Sequence, residues 1–402
     1  MNTPFDYLII GAGAAGMGAA KALRSLDQDS SVAVLSADTY MISRPMLHLY
    51  LSHERDEHTL NFMPKGFLEN NNVTWFHDCT ISSVDPKKKT VAASDGRCFG
   101  YKKLLIASGA SYCIPPIPGL REAENVYGFR DLIDAVKIDK AAEGAKKAVI
   151  IGAGLVGLDV AYALAPRGIS VTVVEMADRP LALQFPKEAA GWYQRLFEKA
   201  GVRFALNAKV SGAVLDGKTV TSIETEDGTR YDCDFVVVAA GVRPNCGFLQ
   251  GSGIAVERGI VVDDYLGTSD ENIFAAGDAA GLSGTWEAAT KQGVCAAHNM
   301  VNGKKTIYAE KETVKNAMNY YGLTGISLGM VEAPNNTYRE IVKQDEKDYK
   351  RLLIRDNIVY GAILLGNITG MPVWQYAIQN GIDLSRTGKE IWDITLQDLK
   401  GL

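Results

Sequence analysis

The feature that most constrains the fold of this chain is a glycine-rich turn that occurs twice. Each copy follows a short apolar run and is itself followed by an alanine- and leucine-rich stretch and a β-branched run. This order predicts a strand, a turn, a helix and a second strand. The glycines are Gly11, Gly13 and Gly16 in the first copy and Gly152, Gly154 and Gly157 in the second.

The three glycines of such a turn have separate structural roles. The first allows a tight bend, the second lets a pyrophosphate approach the backbone, and the third lets the helix pack closely on the strand. The helix then presents free N–H groups and a partial positive charge to the phosphates. One copy alone is weak evidence, but two copies in the same context predict two dinucleotide-binding units.

The residue that ends the second strand of each unit differs between the two copies. In the second copy it is Glu175, a carboxylate at the position that usually holds the ribose hydroxyls, and its charge favours NADH over NADPH. Arg179 follows it and could instead bind a 2′-phosphate. In the first copy the residue is Ser36, whose hydroxyl can still bond a ribose, with Asp38 as the alternative.

Three later segments each read as an apolar strand that ends in small residues. They end at Ser108-Gly109, at Gly241 and at Gly277-Asp278. A returning strand of this kind brings backbone close to a bound nucleotide, although a buried parallel strand closed by a turn has the same pattern. Asp278 can accept a hydrogen bond from a sugar or ribityl hydroxyl, or cap the helix predicted over 286–300, or do both.

Together these motifs resemble the FAD/NAD(P)-dependent pyridine nucleotide oxidoreductases of the glutathione-reductase type. The resemblance includes Arg243-Pro244-Asn245 and covers roughly residues 5–305. It implies an α/β fold with two Rossmann-like dinucleotide-binding domains, one inserted in the other, plus a small C-terminal α+β domain. The implied boundaries are 1–114 with 242–309 for the FAD-binding domain, 115–241 for the NAD(P)H-binding domain and 310–402 for the C-terminal interface or partner-docking domain.

The resemblance also implies which residues contact the two cofactors, with NAD(H) favoured over NADP(H). For FAD they are Gly11, Gly13, Ala14, Ala15, Gly16, Ser36, Ala37, Arg44, Ile81, Ala107, Ser108, Gly109, Gly277 and Asp278. For the nicotinamide nucleotide they are Gly152, Gly154, Leu155, Val156, Gly157, Glu175 and Gly241.

Residues 40–52 contain no cysteine, although this is where the thiol-using branches of the family carry theirs. Disulfide exchange needs a thiolate, so thiol chemistry at the flavin is excluded unless a distant cysteine folds in. Residues 43–47 are instead similar to rubredoxin reductases, class I ferredoxin reductases and the flavoprotein part of assimilatory nitrite reductase. That similarity places Arg44 and Pro45 beside the isoalloxazine. With Asp159, which replaces a frequent glutamate, they are the predicted catalytic residues.

The tail from about residue 310 predicts strands over 326–331, 337–342, 349–354 and 358–365, the last two as a hairpin. A helix over 374–378 with a stop at Gly381 follows. This pattern predicts a small α+β domain, and residues 349–367 are similar to the C-terminal domain of rubredoxin and nitrite reductases. Its role is to cap the flavin or form a subunit interface, or alternatively to dock an electron carrier.

Composition excludes several other classes of function. The net charge is −5 and the basic runs are short, so no nucleic-acid partner is predicted. No window reaches the roughly 18 apolar residues of a membrane span. The six cysteines lack metal-ligand spacing, so no metal is predicted. The N-terminus lacks the features of a signal peptide, and we therefore expect a cytoplasmic protein.

The resemblance implies an enzyme, an FAD-dependent NAD(P)H oxidoreductase. It transfers a hydride between nicotinamide and flavin and exchanges electrons with a small iron protein, a rubredoxin or an iron–sulfur ferredoxin, in either direction. Three alternatives stay open: an NADH oxidase or peroxidase, the flavoprotein subunit of a nitrite-reductase-type or other multi-subunit redox complex, and a non-enzymatic flavin redox sensor.

Overall fold

The structure is a computed structural model that describes residues 3–282, 284–308 and 315–402. The chain forms two compact units. The first runs to Cys113 and adds Arg130–Val136 and the segment from Gly241 to residue 308. The second combines Ile114–Phe129, Lys137–Ala240 and residues 315–402. Each unit contains one of the two glycine turns.

The described residues combine strands and helices up to α7 and form mainly strands thereafter. The strands are β1 (Phe5–Ile10), β2 (Val32–Leu35), β3 (Val73–Phe76), β4 (Ile81–Asp85), β5 (Thr90–Ala93), β6 (Cys98–Ile106), β7 (Ala110–Tyr112), β8 (Val126–Gly128), β9 (Lys147–Ile151), β10 (Ser170–Val174), β11 (Arg203–Ala205), β12 (Val210–Asp216), β13 (Thr219–Thr225), β14 (Arg230–Asp232), β15 (Phe235–Val238), β16 (Val242–Pro244), β17 (Ile273–Ala275), β18 (Lys315–Tyr320), β19 (Leu323–Gly329), β20 (Arg339–Gln344), β21 (Tyr349–Arg355) and β22 (Ile358–Leu365). The helices are α1 (Ala14–Leu26), α2 (His48–Leu51), α3 (Phe67–Asn70), α4 (Leu132–Ala142), α5 (Leu155–Leu164), α6 (Lys187–Lys199), α7 (Trp286–Asn302), α8 (Met371–Asn380) and α9 (Leu396–Lys400).

The first unit is built on a sheet in the order β3-β2-β1-β6-β5-β4, with β17 also paired to β6. Strands β1, β2, β3, β6 and β17 are parallel. In β1, β2, β17 and the last three residues of β6 almost all apolar side chains are buried, which is why these segments read as continuous apolar runs rather than alternating ones. Ile106 pairs with both Ile10 and Ala275, so the carboxyl ends of β1, β6 and β17 meet at one edge.

One face of this sheet is covered by α1 and α7, which lie against each other at small residues. A Cβ atom added to Gly293 of α7 would overlap the backbone carbonyl of Ala15 in α1. A Cβ on Gly18 would lie 2.9 Å from the carbonyl oxygen of Thr290. Small residues at this contact therefore let the two helices approach closely beside the first glycine turn.

The second unit repeats the plan with a sheet in the order β11-β10-β9-β15-β8, whose pairs are all parallel. Ile151 at the end of β9 pairs with Val174 of β10 and Val238 of β15. The second glycine turn follows Ile151 directly, so it lies at the carboxyl edge of this sheet, as the first turn does in its own unit. An antiparallel sheet of β12, β13 and β14 is added.

The C-terminal part of the second unit is an antiparallel sheet in the order β18-β19-β22-β21-β20 with helices α8 and α9. The predicted hairpin is present as β21 and β22, and Asp356 and Asn357 take positive φ angles of 51° and 60° in its turn. Helix α8 ends at Asn380 and is capped by Gly381, which has a φ of 58°. Strand β18 was not predicted.

The predicted α/β fold class, with parallel sheets and a C-terminal antiparallel domain, is confirmed. The three domain boundaries stay a prediction, and the one between residues 309 and 310 lies outside the described residues. Across residues 3–282, 284–308 and 315–402, no helix is long and apolar enough to cross a membrane. The same residues hold no cluster of His, Cys, Asp and Glu that could bind a metal ion.

Candidate functional site

The first glycine turn joins β1 to α1 and combines two crowded glycines with an open one. Gly11 has a φ of 109°, and a Cβ atom there would overlap the carbonyl oxygen of Ala107. A Cβ on Gly16 would overlap the carbonyl of Gly11. At Gly13, by contrast, no described atom lies within 4 Å of the Cβ position. Backbone is therefore accessible at the middle glycine, where a phosphate group needs to approach.

The second turn has the same geometry in the second unit. Gly152 has a φ of 105°, and a Cβ on it would lie 2.6 Å from the carbonyl oxygen of Ala239. A Cβ on Gly157 would overlap the carbonyl of Gly152, and the position at Gly154 is open within 4 Å among the described atoms. Gly13 and Gly154 are the N-cap residues of α1 and α5.

No described side chain caps either helix at this end. The first-turn N–H groups therefore remain available to an external acceptor, and an anionic phosphate is favoured there by the helix dipole. The residues present fit the pyrophosphate of a dinucleotide at both turns.

Glu175 lies beside the second turn at the end of β10. Its carboxylate accepts hydrogen bonds from the N–H of Ala153, over 2.7 Å, and from the N–H of Ala177, over 2.8 Å. The structure thus brings the predicted ribose ligand next to the predicted pyrophosphate turn. Arg179 is bonded elsewhere, to the carbonyl of Phe185 and to two carboxylates.

Ser36 lies at the corresponding position in the first unit, but its hydroxyl is used locally. It donates to the carbonyl oxygen of Asp38 over 2.9 Å and accepts from Nε1 of Trp75 over 3.0 Å, and the residue is 4% exposed. The Asp38 side chain is 42% exposed and lies 3.5 Å from Arg44. Asp38 is therefore the better placed of the two predicted ribose ligands.

Arg44 and Pro45 lie in a short 3₁₀ turn, Arg44–Met46, in the first unit. Nη1 of Arg44 is 3.7 Å from the Cβ position of Gly109. The structure thus brings Arg44 together with Asp38 and with the small-residue end of β6. Pro45 is exposed in the same turn.

Arg130 is a charged residue of this region that the sequence did not predict. It forms an ion pair with Asp278, and its Nε donates to the carbonyl oxygen of Ala110 over 3.0 Å. Burial and the nearby charge of Arg44 lower the pKa of Arg130, in that order of importance. Arg130 stands just before helix α4, where the helix dipole disfavours a cation. This unfavourable position of a cation before a helix is the feature of the sequence that could have indicated a role for Arg130.

The Gly277-Asp278 segment lies beside the first turn, in the 3₁₀ turn Gly277–Ala280 after β17. The N–H of Gly277 donates to Oε1 of the buried Gln292 over 2.6 Å, and a Cβ on Gly277 would lie 3.2 Å from Cβ of Ala15. Gly277 is therefore held against the first turn of α1, as an FAD-binding role requires.

The end of β6 is tied to the segment that follows β16. The Ser108 hydroxyl donates to the carbonyl oxygen of Asn245 over 2.8 Å, and the Asn245 amide donates back to the carbonyl of Ser108 over 3.1 Å. These bonds position Ala107, Ser108 and Gly109 at the sheet edge beside Gly11. The role of Asn245 is therefore to hold this strand end in place.

Asp159 lies on α5, and its carboxylate accepts a hydrogen bond of 2.7 Å from the hydroxyl of Tyr320 on β18. Burial raises the pKa of Asp159 to about 7, and the Tyr320 hydrogen bond partly offsets this rise. The predicted catalytic residue is thus bonded to the C-terminal sheet.

The remaining predicted ligands lie at or next to the ends of helices and strands, and Ile81 is the one on an edge strand away from the first turn. Ala14 and Ala15 form the first turn of α1, and Ala37 follows β2. Ile81 begins β4 and packs in the apolar cluster on one face of the sheet of the first unit. In the second unit, Leu155 and Val156 begin α5, with Val156 exposed. Gly241 precedes β16 in the first unit and has a φ of 103°.

Comparison with known proteins agrees with this geometry. Residues 5–293 match the family model described as pyridine nucleotide-disulphide oxidoreductase. Residues 315–382 match the model described as the rubredoxin NAD+ reductase C-terminal domain. The two matches fall on the part of the chain with both glycine turns and on the C-terminal antiparallel sheet.

Curated relatives are similar over most of the chain. A nitrite reductase [NAD(P)H] of Bacillus subtilis is 30% identical over 96% of this chain, which spans only 48% of that protein's length. A rubredoxin-NAD(+) reductase of Pseudomonas putida is 33% identical over 68% of this chain and 71% of its own. The chain thus spans about half the length of one relative and most of the other.

A solved ferredoxin reductase from Rhodopseudomonas palustris has the same fold, with a TM-score of 0.82 and 24% identity over 94% of this chain and 98% of that one. The predicted family resemblance is confirmed, and it supports FAD and NADH as the cofactors. The chain belongs to the pyridine nucleotide-disulphide oxidoreductase family.

Proposed function

We propose that this protein is an FAD-dependent NADH oxidoreductase that exchanges electrons with a small iron protein, of the rubredoxin or ferredoxin type, without a redox-active cysteine. One observation carries the two nucleotide sites of this proposal. In both glycine turns the outer glycines are packed against backbone, and the middle one, Gly13 or Gly154, faces open space. Two such turns in one chain suit one bound cofactor and one nucleotide substrate.

The first turn is the proposed FAD site. The backbone at Gly13 and the free N-terminal end of α1 would hold the pyrophosphate. Asp278 would accept a hydrogen bond from a ribityl hydroxyl, and Arg130 would neutralise the charge of Asp278. Arg44 would place positive charge beside Gly109, where electron-rich flavin is stabilised by a cation. The proposed ligands are Gly11, Gly13, Ala14, Ala15, Gly16, Ser36, Ala37, Asp38, Arg44, Ile81, Ala107, Ser108, Gly109, Arg130, Gly277 and Asp278.

The second turn is the proposed NADH site. Glu175 would accept hydrogen bonds from the ribose hydroxyls, and its negative charge would repel a 2′-phosphate. Bound FAD supplies the chemistry that links a two-electron donor to a one-electron acceptor. The proposed ligands are Gly152, Gly154, Leu155, Val156, Gly157, Asp159, Glu175 and Gly241. Arg44, Pro45 and Asp159 keep their predicted catalytic roles as part of this proposal.

The surroundings of five of the six cysteines, all except Cys113, support electron transfer without a thiol. Burial raises the pKa of Cys79, Cys246 and Cys295, and it raises the pKa of Cys233 to about 12, which disfavours the reactive thiolate. Cys98 begins β6, whereas Ile106 at the other end reaches the glycine turn. At about 3.3 Å per residue these ends are at most roughly 26 Å apart, and Cys98 belongs to the part of β6 that pairs with β5 rather than with β1.

The proposed partner rests on the C-terminal domain and on the relatives. Residues 315–382 match a domain described for rubredoxin NAD+ reductases, and a relative named rubredoxin-NAD(+) reductase is 33% identical. We propose the division into domains at 1–114 with 242–309, 115–241 and 310–402. We also propose a cytoplasmic location, because NADH is available there and each of the six cysteines is a free thiol.

The test is anaerobic reduction of the purified yellow protein by NADH, followed by separate addition of oxidised rubredoxin and oxidised ferredoxin. We expect rapid bleaching of the flavin absorbance, then rapid recovery with one carrier and slow recovery with buffer alone. Failure of NADH to bleach the flavin would overturn the NADH assignment. Equally slow recovery with both carriers, together with rapid oxygen uptake in air, would replace the iron-protein partner by an oxidase activity.

A second candidate is the flavoprotein part of a nitrite-reductase-type protein. It is favoured by the alignment of 96% of this chain with only 48% of the Bacillus subtilis nitrite reductase. In that case the acceptor is a further domain or subunit, and neither free carrier would reoxidise the flavin. Nitrite-dependent NADH oxidation by a complex that co-purifies with this chain, but not by the chain alone, would select this candidate.

A further inference from the structure

Arg179 lies four positions after the proposed ribose ligand Glu175, but its hydrogen-bond partners are other residues. Its Nε donates to the carbonyl oxygen of Phe185 over 3.1 Å. Its Nη1 lies 2.9 Å from Oδ1 of Asp178, and its Nη2 lies 2.7 Å from Oε1 of Glu332. Nη2 also lies 3.5 Å from the carbonyl oxygen of Ala182. The guanidinium therefore has acceptors on all three of its nitrogens.

Glu332 reaches Arg179 from the C-terminal part of the same unit. It stands shortly after strand β19 and its side chain is 55% exposed. Its other carboxylate oxygen lies 4.0 Å from Nη2 of Arg351. Arg351 is 2% exposed and is held by Glu340, over 2.8 and 2.6 Å, and by the carbonyl of Val331. Glu332 thus lies between two arginines, one of which is rigidly placed.

The charges of this cluster bear on the choice of nucleotide. A 2′-phosphate is bound best by a guanidinium that can offer two parallel N–H groups. Arg179 is the arginine nearest in sequence to the ribose ligand, and Glu332 both neutralises it and occupies its Nη2. Further charged residues of this cluster are Asp178, Lys187, which lies 3.2 Å from Asp178, and Glu188, Glu340 and Arg351, which line a cavity together with Lys187 and Glu332. With Glu332 in place, carboxylates exceed cations around Arg179.

We propose that Glu332, in the C-terminal domain, is a specificity-determining residue that favours NADH by holding Arg179 away from the nucleotide. The inference rests on the proposed NADH site at the second glycine turn. Glu332 is a positioning residue, since it acts through Arg179. Removal of the Glu332 carboxylate would free the guanidinium of Arg179 next to the ribose. The site, which otherwise favours NADH, would then also accept the 2′-phosphate of NADPH.

The test is calorimetric titration of the FAD-loaded protein with 5′-AMP and with adenosine 2′,5′-bisphosphate, which carry the adenosine ends of NADH and NADPH. We expect Glu332→Gln to bind the bisphosphate roughly threefold more tightly than the unmodified protein does, a change typical of one exposed ion pair. Binding of 5′-AMP should be unchanged. The ratio of kcat/KM for NADPH to that for NADH should rise by the same factor.

The matched control is Glu346→Gln, which removes the same charge from an exposed position of the same domain. It should leave the ratio of the two affinities unchanged. The double variant Glu332→Gln/Arg179→Gln should lose the gain. Because Glu332 is half-exposed and glutamine has its shape, we expect the variant to fold, and a thermal melt verifies this.

The outcomes separate the two proposals. If the unmodified protein binds 5′-AMP and Glu332→Gln leaves the bisphosphate affinity unchanged, the role of Glu332 is wrong and the NADH site stands. A gain that persists in the double variant, or that Glu346→Gln reproduces, also overturns the role of Glu332. If the unmodified protein binds neither nucleotide, the proposed NADH site fails and the specificity role fails with it.

Discussion

The phenolic oxygen of Tyr320 lies 2.7 Å from Oδ1 of Asp159. This hydrogen bond joins strand β18 of the C-terminal sheet to helix α5, which begins at the second glycine turn. Burial raises the pKa of Asp159 from 3.8 to about 7, so both protonation states are populated near neutral pH. The bond therefore links a titrating carboxyl group to the packing of two parts of the second unit.

We expect Asp159 to make the stability of the protein depend on pH. Because its pKa is raised by folding, the folded state holds a proton that the unfolded chain releases as the pH rises above 3.8. Stability is lost through this window until the pH passes about 7. In Asp159→Asn this loss is absent. The free energy of unfolding of the variant minus that of the unmodified protein should therefore increase by up to about 1.4 kcal/mol for each pH unit of rise within the window.

Urea unfolding at several pH values within this window measures the effect. Tyr320→Phe serves as the comparison, because it removes the donor that partly stabilises the ionised carboxylate and should raise the pKa of Asp159 further. Parallel pH profiles for Asp159→Asn and the unmodified protein would contradict the raised pKa.

The parts of this fold that could be predicted are those set by local sequence. The glycine turns specify their own backbone, since a side chain at Gly11 or Gly152 would meet a neighbouring strand end and the φ angles there are positive. The continuous apolar runs of β1 and β9 follow from burial on both faces of a parallel sheet. The hairpin of β21 and β22 follows from two strand-like runs separated by the polar turn Arg355-Asp356-Asn357.

The parts that could not be predicted depend on contacts between distant residues. Arg130 meets Asp278 across 148 positions, and Tyr320 meets Asp159 across 161. The hydroxyl of Ser36 accepts a hydrogen bond from Nε1 of Trp75, 39 positions away. No periodicity or spacing records such a pairing, and without an observed partner each of these side chains reads as an ordinary polar or aromatic residue.

We expect Gly154→Ala to separate nucleotide binding from folding. The Cβ position at Gly154 has no described atom within 4 Å, and its φ of −76° suits alanine. The variant should fold and keep its FAD, but the methyl group would stand where the pyrophosphate approaches. The Kd for NADH, measured by calorimetry, should rise at least roughly tenfold, about 1.4 kcal/mol.

Gly157→Ala is the comparison for that variant, since its Cβ would overlap the carbonyl of Gly152. It should lose stability, by about 2 kcal/mol or more, because helix α5 must move away from the strand. If both variants lose NADH binding and stability to the same extent, the distinct roles of the two glycines are wrong.

We expect Asp278→Asn to reduce flavin occupancy. The substitution removes the partner of Arg130, whose half-buried guanidinium would then lack its carboxylate, at a cost of about 3 kcal/mol. The ratio of flavin to protein absorbance after purification measures the loss. Asp29→Asn, at an exposed position of the same unit, should leave that ratio unchanged.

The double variant Asp278→Asn/Arg130→Met distinguishes stability from binding. An apolar side chain at position 130 removes the unpaired charge, so unfolding stability should recover. Flavin occupancy should stay low, because neither polar side chain of the proposed site is restored. Full occupancy in either variant would mean that Asp278 does not contact the cofactor.

We expect Glu175→Gln to weaken NADH binding with a modest loss of stability. Both carboxylate oxygens accept backbone N–H groups, from Ala153 and Ala177, and glutamine can replace only one of these acceptors. One lost hydrogen bond costs about 1 kcal/mol of unfolding free energy. Loss of the charged acceptor for the ribose should raise KM for NADH roughly tenfold, because hydrogen bonds to charged groups are worth about 1.5 kcal/mol or more.

KM for NADPH should change less in Glu175→Gln, since a 2′-phosphate is repelled by the carboxylate that the variant lacks. Glu143→Gln, an exposed change in the same unit, should leave both KM values unaltered, and equal KM increases for the two nucleotides in Glu175→Gln would remove Glu175 from the ribose site.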